Sequence, residues 1–250
     1  MSFINIDDLN VYYEKSGTKG RKVLLLHGWG QNTSMMAYIG EHLKKKFIVY
    51  NIDFPGFGQS DEPKKPWGVN EYKELIRNFC IKKKIDNPII IGHSFGCRVA
   101  LKYAHDYDVY KMVLTGAAGI RPKRGVDYYI KVYSYKLMKK ILSLKFLNKY
   151  KDKLEKNAGS SDYQNTSGIM RASFVKIVNE DLRPILKDID TPTLLVWGEN
   201  DDAVPLSDGR IMEKEMKDAC LVIFENDDHY AYFHQADRFN RVLDAYLKDD

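Results

Sequence analysis

Hydrophobic residues in this chain gather into short unbroken runs, and amphipathic stretches separate them. Lys22 to Leu26 (KVLLL), Phe47 to Ile52 (FIVYNI), Pro88 to Ile91 (PIII), Met112 to Thr115 (MVLT), Pro192 to Trp197 (PTLLVW) and Cys220 to Phe224 (CLVIF) lack polar alternation. Runs of that kind predict strands, and Lys22 to Leu26 and Phe47 to Ile52 read as strands buried on two faces. Phe3 to Ile6 and Asn10 to Glu14, around Asp7-Asp8, predict an opening hairpin. Between the later runs, Asn70 to Lys84 places Tyr72, Leu75, Ile76, Phe79 and Cys80 on one helical stripe. Helices are also expected over Phe95 to Ala104, over Leu206 to Lys217, and in a closing segment where Phe239, Val242, Leu243 and Tyr246 share a face. Strand and helix alternating in this way imply βαβ crossovers, hence an α/β class with a mostly parallel central sheet flanked by helices.

The alternation lapses after Gly119. Residues 120–186 are rich in Lys and Tyr, with a polar break from Asn157 to Ser167, and read as an inserted helical cap between core segments 1–119 and 187–250. Composition changes the picture little: 250 residues at 44% hydrophobic suit one core. The net charge of +5 is uneven, because residues 120–183 hold fifteen Lys and Arg against six Asp and Glu. Such an excess can attract nucleic acid or an anionic surface. With no zinc-finger, RNP-type or P-loop signature beside it, it reads as a solvated face, and no nucleic-acid partner is expected.

The N-terminus has no signal-peptide pattern and no eighteen apolar residues run together, so a cytoplasmic protein without a membrane span is expected. Cys80, Cys97 and Cys220 are scattered and form neither a disulfide framework nor a zinc set. Without an HExxH, EF-hand or dinucleotide fingerprint, no metal or organic cofactor is expected. The sequence carries no signal of oligomeric state.

Chemistry concentrates at Gly92-His93-Ser94-Phe95-Gly96, a G-x-S-x-G lying directly between a strand and a helix. A sharp strand-to-helix turn strains the serine, and side chains at positions 92 and 96 would crowd it. Ser94 would then stand above the sheet near a helix N-terminus, where negative charge is favoured. A serine needs a base. In chains with this turn the acid and then the histidine follow the serine, leaving His105, His229 and His234. His105 ends the helix after the turn and His234 sits in or near the last helix, whereas His229 follows a strand in a polar loop, where α/β sheets place their sites. For the acid, Asp201 and Asp202 compete after PTLLVW.

Over essentially its whole length the chain resembles the α/β-hydrolase superfamily. Gly198, Asp201 and Pro205 match the G-x-x-D-x-x-x-P found in similar members, which implies Asp201 as the acid that orients His229. The segment His27-Gly28-Trp29-Gly30 is similar to the family's HG-x loop, implying an oxyanion hole from the backbone N–H groups of Trp29 and Phe95, with His27 holding the loop's backbone. Asp53 to Ser60 (DFPGFGQS) resembles the D-x-P-G-x-G-x-S turn, and residues 120–186 stand where the family puts a substrate-selecting cap, so Tyr128, Tyr129, Tyr133 and Tyr135 would divide between pocket and core.

Around Asp228 to Leu247 the chain looks like the meta-cleavage product hydrolases, which cut carbon–carbon bonds in vinylogous diketo acids. It departs from them in having Tyr230 where those enzymes often carry Trp, and Asp228 where they carry Gly. An arginine from the cap region reads their substrate's acid group, and the resemblance implies Arg171 as a candidate counterpart. His27, Gly28, Arg171 and Tyr230 are the candidate pocket residues. Dehalogenases and epoxide hydrolases of the fold attack with Asp, and here the turn holds Ser94. The leading expectation is a carboxylic ester hydrolase for a small or medium substrate. The alternatives are a carbon–carbon bond hydrolase and, from another class, a ligand receptor on a hydrolase scaffold.

Overall fold

All six aliphatic runs form strands; the first five are buried almost throughout, whereas the last, at the sheet edge, is only partly covered and leaves Cys220 exposed. In the computed structural model, which describes residues 2–121, 134, 163 and 166–248, they are β3 (Lys22–Leu26), β4 (Ile48–Ile52), β5 (Ile89–His93), β6 (Lys111–Thr115), β7 (Thr193–Gly198) and β8 (Ala219–Phe224). The opening hairpin is β1 (Ser2–Ile6) and β2 (Leu9–Ser16), turning on Asp7 and Asp8 at φ 50° and 64°. Aspartate is among the few side chains that tolerate this left-handed backbone. The eight strands run in the order β1-β2-β4-β3-β5-β6-β7-β8. The pairs β1–β2 and β2–β4 are antiparallel, and every later neighbour is parallel.

Successive residues of the central strands feed opposite cores. Leu24, Leu26, Ile90, Leu114, Leu195 and Trp197 pack with α2 (Val69–Lys83) and α3 (Phe95–Asp106). Val23, Leu25, Ile89, Ile91, Val113 and Val196 pack on the other face with α1 (Ala37–Leu43) and the last helix (Ala236–Tyr246). Each of these aliphatic side chains contributes about 2 kcal/mol of burial, which is why the sheet sits at the centre. Two elements differ from expectation. The short α1 was not foreseen: it has seven residues, contains Gly40, and draws stability from Ile39 and Leu43 on the sheet rather than from propensity. The closing helix is broken at Gln235, so that a single turn, Ala231–His234, precedes it.

Most of the expected cap, including Tyr128, Tyr129, Tyr133 and Tyr135, lies outside the described residues. The ends of the 120–186 stretch leave and rejoin the core side by side: Leu182 N–H donates to Gly119 O at 2.9 Å and Arg121 N–H to Asp181 Oδ1 at 3.2 Å. Its described helix, α4 (Gly168–Asn179), lies across the loops that follow β3 and β4. Trp67 N–H donates to Ser173 Oγ at 2.9 Å, Lys176 Nζ to Pro66 O at 2.9 Å, and the Phe174 ring is 5.2 Å from Trp29. No helix among the described residues is long and apolar enough to cross a membrane.

Candidate active site

Because β5, β6, β7 and β8 are parallel neighbours, the loops at their C-terminal ends share one edge of the sheet. Ser94, Gly116, Asp201 and His229 are carried on those four loops in that order.

Ser94 has φ 50° and ψ −106°, an uncommon conformation for a residue with a side chain. Its N–H donates to Thr115 O at 3.0 Å, so the neighbouring strand holds the turn. Although Ser94 occupies the N-cap of α3, its hydroxyl makes no cap hydrogen bond, which leaves the oxygen available. The turn closes only because position 96 is glycine: a Cβ there would stand 2.1 Å from Leu26 O.

Asp201 and His229 are hydrogen-bonded, with Nδ1 2.7 Å from Oδ2. The acid side chain is fully buried and that of His229 is 10% exposed. Asp201 Oδ1 accepts the N–H groups of Ala203 at 3.0 Å and Val204 at 2.7 Å. Oδ2 is a carboxylate oxygen facing the ring, so the imidazole N–H it accepts is the one on Nδ1. The other ring nitrogen, Nε2, takes no part in the bond to Asp201. Asp202 points to solvent.

The loop after β3 is supported from beneath. His27 is fully buried; its Nε2 accepts Phe54 N–H at 3.0 Å and its Nδ1 donates to Gly28 O at 2.7 Å, so it faces backbone rather than free space. Asp53 anchors the turn that supplies Phe54, accepting Thr33 N–H at 2.6 Å and Gln59 N–H at 2.8 Å. No acceptor meets the backbone N–H of Trp29 or of Phe95 among the described residues. Trp29 packs edge-on against Phe57 (4.8 Å) and Phe95 (5.4 Å).

Burial holds the His27 imidazole at about 4 rather than 6.5, against the opposing pull of Gly28 O and Asp53. The unfolded chain therefore binds a proton below pH 6.5 that the native ring refuses until about 4. Stability is expected to be full above that window and to fall by about 3 kcal/mol across it as pH drops. Chemical denaturation at pH 7 and 4.5 should show a smaller loss in His27→Gln than in the native chain; equal losses would refute the assignment.

The remaining implied pocket residues are placed as follows. Gly28 lies between His93 and Gln31, with 2.9 Å from a built Cβ to the histidine ring. Tyr230 is half exposed with its ring 5.4 Å from His93. Arg171 Nε donates to Thr166 O at 2.7 Å and the guanidinium lies 5.0 Å over Tyr163, within its own segment. His105 is exposed and pairs with Asp106, and His42 pairs with Asp244 at 3.0 Å.

Residues the sequence did not single out surround the pair. His93, fully buried, lies 4.7 Å ring to ring from His229; burial, and then the charge of His229, push it well below the ordinary histidine value. Gly116 has φ 52°, and a Cβ there would lie 2.8 Å from His229 Nδ1 and 3.3 Å from Asp201 Oδ2. A glycine just past a strand end was the one signal that pointed to it. Among the described residues, Asp227, Asp228 and His234 bring possible metal-ligand atoms within 4.8 Å of one another. Those atoms are already engaged with one another, with Gln235 and with backbone N–H groups.

Comparison with known proteins agrees with this arrangement of strands. The profile described as alpha/beta hydrolase family matches residues 23–242. An AB hydrolase superfamily protein of Bacillus subtilis is 26% identical, with 90% of each chain covered. A 2-hydroxy-6-oxo-6-phenylhexa-2,4-dienoate hydrolase of Comamonas testosteroni is 25% identical, covering 98% of this chain and 93% of that one. An esterase from Exiguobacterium antarcticum superposes with a TM-score of 0.78 at 24% identity, with 99% of each chain covered.

Proposed function

Given that the chain belongs to the α/β hydrolase family, we propose that it is a serine hydrolase cleaving a carboxylic ester of a small or medium substrate. The observation that carries the reading is the 2.7 Å bond from His229 to the buried Asp201, on the edge where Ser94 is held in a strained turn. In this reading His229 Nε2 takes the Ser94 proton as Oγ attacks the ester carbonyl. The oxyanion is met by the N–H groups of Trp29 and Phe95, which supply about 3 kcal/mol each. Collapse expels the alcohol, protonated by His229, and leaves an acyl group on Ser94. Water, deprotonated by His229, then releases the acid and restores the serine.

The test is a fluorophosphonate probe followed by mass spectrometry of the labelled peptide, with turnover of p-nitrophenyl esters of increasing acyl length. Labelling at Ser94 with ester turnover is expected. A folded protein that takes no label and turns over no ester overturns the reading. A second reading, hydrolysis of a carbon–carbon bond in a diketo acid, is favoured by the dienoate hydrolase relative. It would appear as bleaching of a coloured dienoate faster than any ester is cut.

Gly116 offers a graded check on the same pair. Gly116→Ala would push a methyl against His229 and strain a left-handed backbone, lowering stability by about 1 kcal/mol. Displacing the ring by a few tenths of an ångström is expected to reduce kcat about tenfold or more while KM holds. Steady-state kinetics on the best ester decide it, and a kcat within twofold of the native value would count against the role.

A further inference from the structure

Two residues before His229 lies a second, largely buried carboxylate that the proposed chemistry does not use. Asp227 is 8% exposed. Its Oδ1 accepts Asp228 N–H at 2.9 Å and the His234 ring at 2.9 Å, and its Oδ2 accepts Gln235 Nε2 at 2.9 Å. Burial pushes this carboxyl up, but the bonds from His234, Asp228 and Gln235 outweigh it, and the group lies below the usual carboxylate range. Its own backbone carbonyl accepts Asn200 N–H at 2.8 Å, one residue before Asp201. A single residue thus grips the helical turn after His229 through its side chain and the acid loop through its backbone.

The chain on either side of His229 is pinned by two successive carboxylates, Asp227 and Asp228. Asp228 N–H is held by Asp227, and Tyr230 N–H donates to Asp228 Oδ1 at 2.8 Å. His234 Nδ1, besides its bond to Asp227, stands 3.4 Å from that same Asp228 oxygen. The acid and base loops also touch at Gly198, where a Cβ would meet Asp228 O at 2.0 Å. His229 therefore has both peptide neighbours fixed by side-chain carboxylates, Asp228 N–H by Asp227 and Tyr230 N–H by Asp228, while the loop carrying its partner is fixed to the Asp227 backbone.

We propose that Asp227 is a positioning residue: its carboxylate, by accepting from Asp228 N–H, His234 and Gln235, sets the His229 ring at bonding distance from Asp201. The consequence for turnover rests on the serine-hydrolase reading, but the ring geometry does not, and the two are measured separately. Misplacement of a reacting group by about 1 Å can cost roughly a hundredfold in rate.

The experiment compares the native chain with Asp227→Ala, Asp227→Asn and His234→Ala. One readout is the far-downfield proton resonance of His229 Nδ1–H bonded to Asp201, assigned by its disappearance in His229→Gln. The other is kcat and KM on the best ester, with thermal melting to show that each variant is folded. Asp227→Ala is expected to broaden or abolish the resonance and to lower kcat by about ten- to a hundredfold with KM within about twofold. Asp227→Asn keeps an Oδ1 acceptor for Asp228 N–H and His234, and should restore the resonance and most of kcat.

Should Asp227→Ala not fold, His234→Ala removes one donor from an exposed position and is expected to move both readouts in the same direction by a smaller factor. An unchanged resonance and kcat in the folded alanine variants, or an asparagine variant as impaired as the alanine one, overturns the proposal. If the native chain shows the resonance but cuts no ester, the hydrolase reading fails. The positioning role is then judged on the resonance alone: loss in Asp227→Ala supports it and retention sinks it.

Discussion

Ser94→Ala should remove fluorophosphonate labelling and lower kcat on the best ester by about 10^6-fold, the scale on which a serine nucleophile acting with its base contributes. Substrate binding should hardly change, because the oxyanion donors proposed at Trp29 and Phe95 are backbone groups that the substitution leaves in place. Stability should also hold within about 0.5 kcal/mol, since the Ser94 hydroxyl makes no cap bond to the helix behind it. A variant that melts like the native chain, binds ester, and neither labels nor turns over is the expected outcome. Retention of even a hundredth of the activity would mean that water, not Ser94, is the attacking group.

Asp201→Asn should cost about 10^4-fold in kcat, and the reason can be traced atom by atom. Oδ1 of Asp201 accepts two backbone N–H groups, from Ala203 and Val204, so the amide of the variant must keep its oxygen there. The amide nitrogen then faces His229 Nδ1 in place of Oδ2, which stands 2.7 Å away. A donor at that point forces the proton of the imidazole from Nδ1 to Nε2, where it blocks uptake of the Ser94 proton. KM should stay within a few-fold of the native value. Asp202→Asn, at an exposed position, should behave as native. Full activity in Asp201→Asn together with loss in Asp202→Asn would reverse the assignment.

Much of the fold was legible because buried parallel strands cannot alternate polar and apolar residues. Runs such as KVLLL and PTLLVW therefore announce their environment, and glycines at 92 and 96 announce a turn too tight for a Cβ. The helix Ala37–Leu43 escaped notice because its seven residues hold too few apolar positions to show a period. At the candidate site, the strained turn at Ser94 and the loop carrying His229 were legible from strand context and chain order. The neighbours that shape the pair were not. His93 ends β5, Gly116 follows β6 and Asp227 precedes His229 by two residues, and only folding brings the His93 ring and Gly116 against His229 and ties Asp227 to His234.

The sequence by itself determined the local elements: which stretches are covered on two faces, where the strained serine turn falls, and that a histidine follows the last strand in a polar loop. Those properties depend on a residue and its near neighbours, so they can be read in one dimension. Tertiary structure decided the pairings. Adjacent residues Asp201 and Asp202 are chemically alike in sequence, yet pairing of β7 with β8 turns one toward His229 and the other toward water. It likewise gave His27, which the family resemblance already implied as a support for its loop, the particular partners Gly28 and Phe54, because the adjacent parallel strands β3 and β4 bring the turn after Ile52 within reach of its ring.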